Sequence, residues 1–172
     1  MNPFAMVFAH ARLQLTDLFR SPGYVVPTVA FPAMFFALLA LPFARLGPAS
    51  ADQLTLSYLA FAVIGVTLYQ FGVGIAAERG RPWERYLRTL PTSTAERFAA
   101  RIVSAMVFGL LAAAGVALVA RLFTPVDLTA VQWLQALAYL MIGGVPFVLV
   151  GITIGYWVSS RAAVPLATAC NL

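Results

Sequence analysis

Four long stretches, residues 24–44, 56–77, 102–120 and 133–158, contain no charged side chain at all. A helix needs roughly 20 apolar residues to cross the ~30 Å hydrocarbon layer of a bilayer, and each stretch has about that length. The composition agrees: 62% of the chain is hydrophobic and only 10% is charged, against about 25% charged in soluble domains. The expected fold class is therefore all-α, an integral membrane helical bundle with four complete transmembrane helices. A fifth apolar stretch, 162–172, covers about half a span and is expected to be the truncated start of a fifth helix, so that the chain is C-terminally incomplete. The whole of 1–172 is read as one transmembrane domain.

The connections between these stretches sort by charge. All of the positive charge comes from eleven arginines, with no lysine. Nine lie in residues 1–23, 78–101 and the turn near Arg161; the loops 45–55 and 121–132 carry one each. Because arginine accumulates on the cytoplasmic side of membrane proteins, the N-terminus and residues 78–101 are expected in the cytoplasm. The net charge of +5 thus orients the spans, and no nucleic-acid partner is expected. The opposite loops are short, with turn signals at Gly47-Pro48 and Thr124-Pro125, so no large external domain is present between the spans.

Residues 1–23 read as an interfacial helix and not as a cleaved signal, because His10, Arg12, Gln14 and Asp17 break the apolar run. At 100° per residue, Phe4, Val7, Phe8, Ala11, Leu15, Leu18 and Phe19 share one arc, with Leu13 the misfit. Asn2-Pro3 suits a helix start, and Ser21-Pro22-Gly23 suits its end. His10 and Cys170 are the sole residues of their types. Neither has the convergent partners that a metal or acid–base site requires.

Residues 78–101 hold six of the eleven arginines and three of the six acids. Pro82 fits the first turn of a short helix, in which Trp83, Tyr86, Leu87 and Leu90 form an apolar stripe at i, i+3, i+4, i+7. Glu84 and Arg88 make a favourably ordered surface pair. After Thr89-Leu90-Pro91, Ser93 and Glu96 form a capping box that opens a second helix. The segment is thus a helical elbow. Two readings of its residues stand side by side: a helix resting on lipid headgroups, or a docking stripe ringed by arginine, since aromatics and arginine dominate interface energetics.

The run "IAAERGRPWERYLRTLPTSTAERFAARIVSA" resembles the cytoplasmic elbow of type 2 ATP-binding-cassette (ABC) exporter permeases. Glu78-Arg79 match the Glu-Arg that ends the second span there, and Leu87, Pro91 and Ser93 match its leucine-rich turn. The Gly-Thr of that family is missing, with Pro82-Trp83 in its place. The resemblance implies a permease subunit that binds no cofactor itself, with ATP and Mg held by a separate ABC ATPase. It further implies a bacterial inner-membrane location and a homo- or heterodimer of permeases among membrane lipids. Glu78, Arg79, Arg81, Trp83, Arg85, Leu87, Arg88 and Leu90 would form the ATPase-docking surface, with Ser93 and Glu96 capping the elbow. Export of a lipid-like, amphipathic or drug-like substrate would follow; the alternative is a non-transporting anchor for the ATPase.

Within the spans no Asp, Glu, His, Lys or Arg lies at depth, which disfavours an ion-coupled carrier and an intramembrane enzyme. No Gly-rich phosphate loop followed by Lys-Ser/Thr exists, so nucleotide chemistry is expected in another subunit. Gln70 is the best buried polar candidate, either as an interhelical hydrogen bond or as a contact on a substrate path. Gly151 and Gly155 form a GxxxG pattern that suits close helix packing, internal or between copies. Pro27, Pro32, Pro42 and Pro146 are expected to kink their helices.

Overall fold

The computed structural model describes residues 3–79 and 94–171. Among them there is no strand, and six helical segments follow one another: α1 (Pro3–Phe19), α2 (Pro22–Ala44), α3 (Pro48–Glu78), α4 (Thr94–Phe123), α5 (Ala130–Trp157) and α6 (Ser160–Asn171). Four of these, α2 to α5, are long and apolar enough to cross a membrane. The chain is an all-α membrane helical bundle.

The helices run further than their apolar stretches. Gly47-Pro48, read as a turn in an outer loop, instead starts α3: Pro48 occupies the first turn, where its missing N–H costs nothing. The next six residues are already helical. Likewise α4 continues through Arg121 to Phe123, and α5 begins after a capping box. There the Thr129 hydroxyl accepts from the Gln132 N–H at 3.4 Å, while the Thr129 N–H donates to Gln132 Oε1 at 2.8 Å. Helix therefore extends past the uncharged stretches of the sequence.

α3 is the hub. Two-thirds of its apolar window is buried, against about a fifth for α2 and α5, and it touches α2, α4, α5 and α6. Between α2, α3 and α4 lies the main core, where Phe36, Leu59 and Phe108 are fully buried among Ala40, Ala44, Ala62, Ala112 and Ala113. The abundance of alanine has a physical reason. Lipid tails are as apolar as leucine, so spans gain little from hiding apolar surface and associate through close van der Waals packing. Large side chains such as Leu38, Phe43, Leu118, Ile142 and Leu149 point outward, where hydrocarbon receives them.

α1 packs on α4 through one face: Ala11 is buried, Leu15 and Leu18 reach the core, and the Phe19 ring lies 4.9 Å from that of Phe108. Phe8, placed in the apolar arc by its spacing, faces outward beside Leu13. The apolar surface of α1 is thus divided between a neighbouring helix and its surroundings. α6 lies against α3 and α5, with Ala163 and Ala167 fully buried against Leu68 and Ile154.

The proline-bearing spans stay helical. α2 passes Pro27 and Pro32 as α-helix and then widens into a π turn at Phe36–Ala40, which ends two residues before Pro42. α5 passes Pro146 without a break in its helix.

Candidate functional site

The end of the bundle that leads into residues 80–93 is built around two consecutive residues, Glu78 at the end of α3 and Arg79 just after it. Arg79 reaches the end of α5, where its guanidinium donates to the Tyr156 carbonyl and, at 3.1 Å, to the Val158 carbonyl. The last carbonyls of a helix have no partner within it, and an arginine there also complements the negative end of the helix dipole. Glu78 pairs with Arg101 of α4. The Arg101 side chain is largely covered, whereas that of Glu78 is half exposed. Three helices are therefore fastened near one point: the finish of α3, α4 about two turns from its start, and the finish of α5.

The opposite end uses the same chemistry once. Arg45 Nε donates to the Phe123 carbonyl at 3.3 Å, closing the end of α4, and the Asp127 N–H donates to Asp52 Oδ1 at 3.0 Å. Those contacts join α2 and α3 to the loop after α4.

A turn and a half above Glu78, α3 widens into a second π turn, Tyr69–Val73, where the Gly74 N–H reaches back to the Tyr69 carbonyl. Here α5 approaches closest. A Cβ on Gly151 would lie 2.8 Å from Phe71 Cβ and 3.3 Å from the Gly72 nitrogen; one on Gly155 would lie 2.7 Å from Ile75 Cβ and 2.8 Å from the Phe71 carbonyl oxygen. Glycine is required because two backbones meet. The GxxxG pattern thus serves an internal crossing, and its two glycines sit on the widened turn itself. On another face the Tyr69 hydroxyl meets Thr168 Oγ1 of α6 at 2.5 Å.

Gln70 sits in this turn with 5% of its surface exposed, and neither its Nε2 nor its Oε1 has a hydrogen-bond partner. Leaving such a group unpaired costs about 1–3 kcal/mol. Thr67, one turn earlier, satisfies its hydroxyl on the Val63 and Ile64 carbonyls of its own helix. A small crevice beside Thr67, lined also by Val63, Ile102, Met106, Met141 and Gly144 among others, encloses about 20 Å³. That is room for about one water, and far too little for a lipid-like molecule.

Of the docking residues expected from the sequence, Arg81, Trp83, Arg85, Leu87, Arg88 and Leu90 lie outside the described residues, as does the cap Ser93. Glu96 stands in the first turn of α4. Glu78 and Arg79 spend their described contacts within the chain, at the root of the elbow. Sequence reasoning missed Arg101 as the partner of Glu78 and the end of α5 as the partner of Arg79. These pairs lie 23 and 77–79 residues apart, so no local spacing announces them. Among the described residues no cluster of three metal-ligating side chains occurs.

Comparison with curated proteins and with solved structures returned no match for this chain. Comparison with family models did: the model described as "ABC-2 type transporter" matches residues 7–170. That match takes in most of α1, all four spans, residues 80–93 and nearly all of α6. It agrees with the four apolar helices. The chain therefore belongs to the ABC-2 type transporter family, as a multi-pass membrane permease subunit of an ABC transporter.

Proposed function

We propose that this subunit exports a lipid-like, amphipathic or drug-like molecule, driven by an ABC ATPase that docks on residues 78–101. One observation carries the reading: the elbow springs from the point where α3, α4 and α5 are fastened together by Glu78, Arg79 and Arg101. A push delivered there reaches three spans at once. Trp83, Leu87 and Leu90 supply the apolar anchors of the dock, and Arg81, Arg85 and Arg88 its charged rim. ATP and Mg are bound by the ATPase, and the chain works as a homo- or heterodimer in the bacterial inner membrane with its N-terminus in the cytoplasm. A dimer would also provide a cargo path between copies. Gln70, buried and unpartnered, is suited to meet a polar group of the cargo or the backbone of a rearranged turn.

The competing reading is a membrane anchor that holds the ATPase without moving anything. Inside-out vesicles from cells expressing the permease and its ATPase separate the two, with a fluorescent phospholipid analogue as the probe. ATP-dependent loss of the probe from the outer face supports the exporter. Redistribution at the same rate with and without ATP, with the ATPase still bound, leaves the anchor.

A further inference from the structure

We propose that the π turn at Tyr69–Val73 is a hinge in α3, held in its present form by α5 and released when the elbow is driven. Three observations converge on it. First, no proline accounts for the turn: none lies within α3 beyond Pro48, whereas the π turn of α2 ends two residues before Pro42. A π turn holds one residue more than an α turn. Relaxing it to α therefore rotates whatever lies beyond by about 100°.

Second, what lies beyond is a short handle. Gly74–Glu78 is a single turn of helix that ends in Arg79 on the end of α5 and Glu78 on Arg101. The part of α3 before the turn is locked in the main core through Leu59, Ala62, Val63 and Val66. Between a fixed upper part and a handle fastened to the elbow, the widened turn is the place where backbone geometry can change. Third, the present form leaves the Gln70 amide buried without a partner. An unpaired buried amide disfavours the state that contains it, so a second arrangement in which Gln70 finds a carbonyl or an N–H competes. What holds the present state is the glycine crossing, where Gly151 and Gly155 lie against Phe71, Gly72 and Ile75.

The inference rests on the ATPase-driven reading above, and its test keeps the two apart. A Cβ at position 72 would stand 3.6 Å from Ile154 Cβ, within the range a disulfide spans. The double variant Gly72→Cys/Ile154→Cys, in a Cys170→Ser background and with the ATPase bound, is cross-linked in membranes without nucleotide and with ATP plus vanadate. Efficient cross-linking without nucleotide is expected, falling roughly ten-fold when the trapped state moves the population from one arrangement to the other. Equal yields in both states, with the ATPase still bound, overturn the hinge and leave the ATPase-driven reading intact. Failure of the wild-type chain to retain any ATPase overturns both. Should the double variant not fold, hydrogen exchange at amides 69–74 decides. Vanadate trapping should speed exchange there in the wild type and much less in Gln70→Leu, and unchanged wild-type exchange contradicts the hinge.

Discussion

The π turn of α2 closes when the Leu41 N–H reaches the Phe36 carbonyl, and the π turn of α3 closes when the Gly74 N–H reaches the Tyr69 carbonyl. Their surroundings differ. In α2 a local feature stands beside the turn: Pro42 lacks an N–H, and its ring crowds the carbonyl four residues earlier. The residues that turn buries, Phe36 and Ala40, have no polar side-chain atoms to satisfy. In α3 no proline stands near the turn and the contacts are tertiary: two glycines of α5 lie against Phe71, Gly72 and Ile75, and Gln70 is buried there without a partner. A defect written into the local chain persists in every state of the protein. A defect maintained by a neighbouring helix can be undone when that helix moves.

The largest expected effect breaks the tertiary side of this contrast. Gly155→Leu would drive a side chain into the Phe71 carbonyl and Ile75, neither of which can withdraw without moving backbone. Overpacking of this kind costs about 1–3 kcal/mol or more, so the folded fraction in mixed micelles should fall sharply. Gly143→Leu, at a position with nothing within 4 Å, should be close to neutral in the same denaturation assay. Comparable stability of the two variants would remove α5 as the holder of the turn.

Gln70→Leu should act in the opposite direction. Removing a buried amide that has no partner relieves a penalty of about 1–3 kcal/mol, and the same assay should show a more stable protein. A less stable one would mean that the amide is paired in the folded state.

Arg79→Ala removes the donor from the end of α5. A cation at a helix C-terminus contributes about 0.3–1 kcal/mol when exposed and up to ~2 when partly covered. A loss in that range is expected, together with faster hydrogen exchange in the last turn of α5. Unchanged exchange there would disconnect the handle from α5.

Pro42→Ala carries the smallest expected change and sharpens the local side. With an N–H restored, residues 36–40 should tighten toward α geometry, visible in backbone chemical shifts, while stability shifts by about 1 kcal/mol or less. Persistence of the wide turn in Pro42→Ala would show that packing, not proline, maintains both turns.

Much of this architecture was legible from the sequence because bilayer thickness dictates the length of an uncharged run, and the four spans followed from counting alone. The ends of the helices were less legible. Gly47-Pro48 has the composition of a turn, yet proline is equally at home in the first turn of a helix, which is where Pro48 stands. The site divides in the same way. Burial of Gln70 could be anticipated from its place among apolar residues, but the absence of a partner depends on three neighbouring helices, α4, α5 and α6, that no local pattern describes. The π turn at Tyr69–Val73 has no proline to mark it. Glu78 and Arg79 were singled out by resemblance as docking residues, while their contacts to Arg101 and to the end of α5 are long-range and emerge only from the packed bundle. The anchors expected in the elbow, Trp83 foremost, rest on helical spacing and resemblance.

Recovery of the ATPase on the tagged permease, compared among wild type, Trp83→Ala and Arg85→Ala, tests most directly whether residues 78–101 are where a motor attaches. Truncating a buried aromatic anchor commonly costs about 2 kcal/mol or more, whereas a rim charge costs less and its effect is salt-dependent. The account predicts that Trp83→Ala loses most of the ATPase while the spans still insert and fold, and that Arg85→Ala loses little, with the difference shrinking at high salt. Full recovery of the ATPase with Trp83→Ala would contradict it, leaving the elbow as a helix resting on lipid headgroups.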